Sequence, residues 1–222
     1  MKKILHTITR VVFLIPLVYL LAVWQKLPAR IPMHANLNGE VDRYGNSTEL
    51  VIMICILTMI NIGTYLLLSN VHRFSHSKYS DMNKESMQRM ASAVSIFIAG
   101  IQCTFIYSAL TDFSSILSGV LFSAVGLLFS FMGNYMYNIK PNYFAGFRIS
   151  WTLKNEDNWR KTHHFAGKLW FVGGLLVALI CLWLPFKLSL IVFLTIMSLL
   201  VIFPFIYSYR IHRKVNSEGL RV

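Results

Sequence analysis

Apolar residues in this chain are gathered into six long runs that polar segments separate. The runs cover residues 4–24, 50–71, 90–110, 116–137, 169–184 and 188–207. A helix needs ~20 apolar residues to cross the hydrocarbon core of a bilayer, and most of the runs reach that length. None of them shows the alternation of polar and apolar residues that marks a transmembrane β-barrel. The pattern therefore predicts an all-α polytopic membrane bundle with about six transmembrane helices.

The composition agrees with a membrane protein. The chain has 222 residues, of which 55% are hydrophobic and only 14% charged, whereas a soluble domain carries about 25% charged residues. No internal repeat or low-complexity linker divides the sequence. We therefore expect a single membrane domain over residues 1–222, with an outer loop module at residues 25–49 and a cytoplasmic signature loop at residues 139–168.

The positive charge is distributed unevenly between the two sides of a six-span model. The formal net charge is +12, and one side holds only Lys26, Arg30, Arg43 and Lys187 of the 21 Lys and Arg residues. Loops rich in Lys and Arg remain in the cytoplasm. The distribution predicts that both termini and the signature loop are cytoplasmic. The same distribution accounts for the positive net charge, so we do not expect a nucleic-acid partner.

The outer loop module has the residues of a compact, turn-rich cap. Pro28 and Pro32 end the first helix, and Asn38-Gly39 is the preferred pair for a tight type I′ turn. His34, Glu40 and Asp42 carry metal-binding groups on both arms of that turn, but no second His or Cys completes a set. An interaction surface or a hydrogen-bonded cap is therefore favoured over a metal site, and no metal is expected.

A helix is predicted in the second half of the signature loop. Asn155 is a good N-cap, and Glu156 and Asp157 follow in the first turn, where the helix dipole favours acidic residues. At helical spacing, one face collects Trp159, Thr162, His163, Ala166 and Trp170, and another collects Arg160, His164 and Lys168. The two faces predict an interfacial amphipathic helix before span five.

An enzyme is not expected, although this loop contains two histidines and two carboxylates. Adjacent positions on a helix, such as His163 and His164, point about 100° apart and do not easily share a ligand. The sequence places no nucleophile beside a base. We therefore predict no catalytic residue and no cofactor.

Small and polar residues inside the runs predict helix packing. Small residues recur at every third or fourth position of the fourth run, which lets helix backbones approach closely; they are Gly119, Ser123, Gly126, Ser130 and Gly133. Asn61, Gln102 and Asn134 could line the path of a small-solute transporter or channel, which is the alternative function. Hydrogen bonds between helices are favoured, because no buried charged residue accompanies these amides.

The signature loop resembles the characteristic segment of the SdpI family of bacterial toxin-immunity and signal-transduction membrane proteins. The matching residues extend over about 27 positions: Asn142, Gly146, Arg148, Trp151, Thr152, Leu153, Trp159, Thr162, His163, Gly167 and Lys168. The outer loop module is similar to the short module between the first two spans of SdpI-type proteins. Its members here are Pro32, His34, Asn36, Gly39, Glu40 and Asp42.

This resemblance implies a non-enzymatic protein of the bacterial plasma membrane. It implies protection against a secreted antimicrobial peptide toxin and a relay that holds a cytoplasmic transcriptional repressor at the membrane. The expected partners are the lipid bilayer, a peptide toxin and that repressor, with the signature residues serving as the partner-binding set. A regulator of membrane or envelope homeostasis without a toxin remains a further alternative.

Overall fold

The computed structural model describes residues 2–38, 40–71, 80–111, 116–142 and 144–219. Within these ranges the chain forms seven α-helices: α1 Lys2–Val23, α2 Ser47–Asn70, α3 Ser80–Leu110, α4 Ile116–Met136, α5 Ser150–Lys154, α6 Glu156–Cys181 and α7 Phe186–Gly219. Two short strands, β1 Ile31–Ala35 and β2 Val41–Gly45, follow a 3₁₀ turn at Trp24–Lys26. Six helices are long and apolar enough to cross a membrane. The prediction of an all-α polytopic bundle is confirmed.

The connections place the two candidate segments at opposite ends of the bundle. Ile31 of β1 packs in one cluster with Leu20, Leu50 and Ile106, near the C-terminal end of α1. The signature loop instead contacts the start of α3, where the side chain of Asn83 bonds with the backbone of Lys140. We call the two ends the hairpin side and the loop side.

The closest packing in the bundle joins α4 and α6 along a line of glycines. A Cβ on Gly126 would lie 2.6 Å from the backbone oxygen of Gly174, and one on Gly133 would lie 2.6 Å from the backbone nitrogen of Phe171. A Cβ on Gly167 would lie 2.8 Å from the backbone oxygen of Gly133. These distances leave no room for a side chain, so the predicted packing role of the small residues in the fourth run is confirmed.

Two of the three amides in the spans form hydrogen bonds between α2 and α3. Gln102 donates to the backbone oxygen of Ile54 at 3.0 Å and to the hydroxyl of Thr58 at 2.9 Å. Asn61 donates to the backbone oxygen of Ser95 at 3.1 Å. Asn134 lies elsewhere, on an exposed face of α4. The three amides therefore do not line one path, and the expectation of interhelical hydrogen bonds fits Asn61 and Gln102.

The cap between α1 and α2 is an antiparallel hairpin whose loop is wider than the expected two-residue turn. Ala35 pairs with Val41, and the backbone nitrogen of Asn36 donates to the backbone oxygen of Glu40 at 2.8 Å. The Asn36 side chain accepts from the backbone nitrogens of Asn38 and Glu40. This side chain organises the loop in place of a type I′ turn. Gly39, part of the predicted turn, lies outside the described residues.

The predicted amphipathic helix is the first half of α6. The chain continues without a break from Glu156 to Cys181, because no proline interrupts it and Gly167 and Gly174 pack against α4. Asn155 is the N-cap, and its side chain accepts from the backbone nitrogen of Asn158. The five-residue helix α5 precedes it. The amphipathic segment and span five are thus one helix.

Candidate partner-binding site in the signature loop

Asn142 folds the first part of the signature loop back on itself. Its side-chain oxygen accepts from the backbone nitrogens of Phe144 and Ala145, both at 2.8 Å. Its side-chain nitrogen donates to the backbone oxygens of Lys140 and Ala145. Asn142 is buried. Four hydrogen bonds from one amide satisfy backbone groups that no helix or strand pairs, which holds the loop in one conformation.

Gly146 and His163 fit together in a way that no other residue at position 146 would allow. Gly146 has φ +102°, a left-handed conformation that residues with a side chain rarely adopt. A Cβ there would overlap the Nε2 atom of His163. The next residue, Phe147, donates its backbone N–H to that same Nε2 at 2.9 Å.

The hydrogen bonds of His163 define its protonation state. Nε2 accepts from a backbone N–H, so it carries no proton. Nδ1 lies 2.7 Å from the backbone oxygen of Trp159, which only accepts, so Nδ1 carries the proton. His163 is fully buried. It is therefore a neutral imidazole that ties the loop to α6, a structural role that leaves neither nitrogen free to transfer a proton.

Trp159 connects α6 to the segment that follows α4. Its indole nitrogen donates to the backbone oxygen of Ile139 at 2.9 Å, and its ring stacks on His163 with centroids 3.9 Å apart. The side chain is 1% exposed. A buried indole with a satisfied N–H contributes both a large packed area and a fixed direction. Trp159 thus anchors the base of the loop.

Thr152 closes the second part of the loop. Its hydroxyl lies 2.6 Å from the backbone oxygen of Phe147 and 2.9 Å from that of Ile149. The same hydroxyl accepts from the backbone nitrogen of Ile149 at 3.1 Å. Thr152 is fully buried. This short-range set fixes the start of α5 and, with it, the direction of Trp151.

A polar network attaches the loop to α7. Trp151 donates its indole N–H to the hydroxyl of Ser208 at 2.8 Å. Ser208 in turn donates to the side-chain oxygen of Asn158 at 3.0 Å, and Thr162 donates to that oxygen at 2.9 Å. The side-chain nitrogen of Asn158 donates to the backbone oxygen of Ser208. Signature residues Trp151 and Thr162 therefore meet through two residues that the sequence did not single out.

Asn158 and Ser208 could have been found by one signal. Each is a small polar residue on the apolar face of its helix, and both are buried, Ser208 completely. A polar group in such a position needs a hydrogen-bonding partner. Sequence spacing does not show which partner, since the two residues lie 50 positions apart.

The remaining signature residues have different surroundings. Gly167 lies in the contact between α6 and α4. Lys168 is exposed, with its Nζ 5.8 Å from the centroid of the Tyr137 ring. Arg148 is exposed on the loop surface, and no hydrogen bond or ion pair joins its guanidinium to another residue in the described part of the chain. Arg148 is thus available to an external partner, whereas Asn142, Thr152, Trp159 and His163 form the support beneath it.

The outer-module residues form separate local contacts on the hairpin side. Pro32 lies in β1, His34 Nδ1 lies 2.6 Å from an oxygen of Asp42, and Asn36 donates to the carboxylate of Glu40 at 3.0 Å. These pairs bridge the two arms of the hairpin. Within the described ranges, no three His, Cys, Asp or Glu side chains come together as a metal site.

Comparison with known proteins bears on both segments. Residues 138–208 match the model of the SdpI/YfhL protein family. The match begins beside the Ile139 carbonyl that Trp159 binds and ends at Ser208. The resemblance seen in the sequence is thereby confirmed. Residues 11–59, which include the hairpin, match a domain of unknown function (DUF1648).

One curated relative adds to this result. The chain is 31% identical to "Immunity protein SdpI" of Bacillus subtilis (strain 168) over 94 residues, which are 42% of this chain and 45% of the relative. The alignment thus covers less than half of the relative's length. No solved structure matches the chain. The match to the SdpI/YfhL model and the six long apolar helices among the described residues support a multi-pass membrane protein.

Proposed function

We propose that this chain is a bacterial plasma-membrane immunity protein that protects the cell against a secreted peptide toxin. The observation that carries the proposal is the construction of the SdpI/YfhL region. Buried hydrogen bonds from Asn142, Thr152, Trp159 and His163 fix a loop that presents the exposed Arg148, which has no partner among the described residues. A loop ordered before binding loses less entropy when a partner arrives. The relative named an immunity protein supports the choice of function.

The finer proposal assigns the two ends of the bundle to different partners. The hairpin side exposes Leu37 (74% exposed) and Tyr44, with the Arg30 guanidinium 4.7 Å from the Tyr44 ring centroid. An apolar and cationic surface of this kind suits a peptide that arrives from outside. The signature loop carries Arg148, Lys154 and Arg160 on its surface, and it would bind a cytoplasmic repressor. Both assignments rest on the orientation that the charge distribution predicts.

Survival of cells challenged with a peptide toxin tests the proposal. Cells producing the intact chain should grow at toxin concentrations that stop cells without it. Arg148→Ala should remove most of this protection while leaving the amount of protein in the membrane unchanged, because its side chain supports no other described residue. Arg213→Ala is the matched control, since Arg213 is also exposed on the loop side but outside the signature set.

Trp151→Ala and Trp159→Ala extend the test. Both should abolish protection, but Trp159→Ala should also lower thermal stability, because it removes the buried bond to Ile139. If each of the three single variants, Arg148→Ala, Trp151→Ala and Trp159→Ala, still gave full protection, the assignment of the site would be contradicted. Equal survival with and without the chain would contradict the immunity function itself.

A further inference from the structure

A polar cleft opens beside the signature loop, between the end of α4 and the first turns of α6. Its volume is about 310 Å³. The lining combines backbone of the segment after α4 with charged and aromatic side chains, among them Tyr137, Lys140, Glu156, Asp157, Arg160 and His164. Trp159 and Ile139, whose buried hydrogen bond anchors the loop, also border this cleft.

An apolar groove of about 330 Å³ continues along the same two helices toward the membrane interior. Residues of α6 at positions 168, 171 and 172 line one wall, and the α4 residues Gly133 and Asn134 line the other. Phe171 is 44% exposed and Val172 is 55% exposed. Exposed apolar side chains on a membrane-spanning helix face lipid, so the groove opens to the bilayer.

Tyr137 joins the cleft and the groove, because it lines both. Its ring stacks on His164 with centroids 4.2 Å apart and nearly parallel planes. Lys168 Nζ lies 5.8 Å from the same ring. An aromatic ring with cations beside it is typical of the level at which lipid headgroups meet the hydrocarbon core.

The charges around this junction favour an anion. The cations of Arg160, Lys168 and Lys140 all lie close enough to act electrostatically on the His164 ring. Two acids, Glu156 and Asp157, line the cleft. Asp157 has its two oxygens occupied, one by Arg160 at 2.7 Å and one by Lys161 at 2.6 Å, and Glu156 also interacts with another residue. Lys140 and Lys168 have no carboxylate partner in the described part of the chain. These two lysines therefore remain available for a ligand.

We propose that the cleft and groove form one binding site for an anionic phospholipid of the leaflet on the loop side. The phosphate would lie between Lys140, Lys168 and His164, and an acyl chain would follow the groove past Val172. The observations fit this occupant because a cationic cleft between membrane helices, continuous with a lipid-facing apolar groove, matches both parts of one phospholipid. The inference does not depend on the immunity function.

Native mass spectrometry of the purified full chain tests the headgroup part. Phosphatidylglycerol is the anionic probe, phosphatidylcholine the zwitterionic probe, and inorganic phosphate the free anion. The intact chain should retain phosphatidylglycerol in preference to the other two. Lys140→Gln/Lys168→Gln should weaken phosphatidylglycerol retention by roughly tenfold or more, because each cation near a lipid surface contributes to anion binding. Lys154→Gln/Arg213→Gln removes the same charge elsewhere on the loop side and should leave retention near the intact level.

A second pair of variants tests the acyl-chain part. Val172→Trp fills the groove and should weaken phosphatidylglycerol retention, whereas Leu179→Trp, at a 64% exposed position further along α6, should not. If Lys140→Gln/Lys168→Gln and Lys154→Gln/Arg213→Gln lost phosphatidylglycerol retention equally, the effect would be one of general surface charge. That result would overturn the proposed site. If millimolar phosphate displaced phosphatidylglycerol from the protein, the site would bind a free anion, and the proposal of a lipid site would be overturned. Unchanged retention in Val172→Trp would remove the groove from the proposal.

Discussion

At the scale of single residues, the signature loop depends on backbone groups being paired by buried side chains. Asn142 pairs with four of them and His163 with two. The family resemblance marked both residues, but as candidate partner-binding groups. Their geometry gives them a supporting role, since neither side chain is exposed. Arg148, by contrast, is exposed, and its guanidinium has no hydrogen bond or ion pair to another described residue.

Gly146→Ala tests this arrangement most directly. The substitution imposes strain at φ +102° and displaces His163, so we expect the free energy of unfolding to fall by about 2 kcal/mol or more. Thermal unfolding of the detergent-solubilised protein, followed by circular dichroism, measures the change. Gly63→Ala is the control: nothing lies within 4 Å of its added Cβ, so the helix should be unchanged or slightly more stable. Equal stability of the two variants would rule out the tight fit at Gly146.

At the scale of elements, α6 carries most of the candidate site. One face buries Trp159, Thr162, His163 and Ala166, while positions 160, 164 and 168 point toward the cleft and groove. The same helix packs on α4 through glycines. The position of the cleft therefore depends on the close approach of α4 and α6.

Gly174→Ala should force these two helices apart. Its added Cβ would overlap the Gly126 carbonyl and lie 2.5 Å from the backbone nitrogen of Ser130. Backbone atoms cannot turn aside as a flexible side chain can, so we expect a loss of about 1–3 kcal/mol of stability. Denaturant-dependent unfolding in detergent measures it, with Gly100→Ala as control because the space around Gly100 is open. A Gly174→Ala protein as stable as the control would show that α4 and α6 are not held this closely.

At the scale of the whole molecule, the fold separates two polar ends by a lipid-facing bundle. The hairpin closes one end, and the signature loop, the start of α3 and the end of α7 meet at the other. The alternation of spans puts the start of α1 and the end of α7 on the loop side. The charge distribution predicts that this side is cytoplasmic.

Labelling with a membrane-impermeant maleimide tests the orientation. In a background where Cys55, Cys103 and Cys181 are replaced by Ala, Leu37→Cys should react in intact cells, because this hairpin position is 74% exposed. Lys154→Cys, exposed on the signature loop, should react only after the cells are made permeable. The reverse pattern would invert the topology, and with it the partners proposed for the two ends.

The sequence by itself determined the features that depend on local pattern. Run length gave six membrane helices, small-residue spacing indicated that α4 packs closely against a neighbouring helix, and Asn155 marked the start of α6, because each signal lies within one stretch of chain. It also identified the family region from its ordered motif. It missed that the amphipathic helix and span five are one helix, and that Asn36 organises a wider hairpin loop.

Only the tertiary structure decided how distant groups combine. Ser208 meets Trp151 across 57 positions and Asn158 across 50, and Ile139 accepts from Trp159. The cleft at Tyr137 likewise needs α4 and α6 in contact. Hydrogen bonds and close packing between helices depend on the relative position and rotation of those helices. Periodicity within one helix fixes which face is apolar, but it does not fix which residue of another helix that face meets.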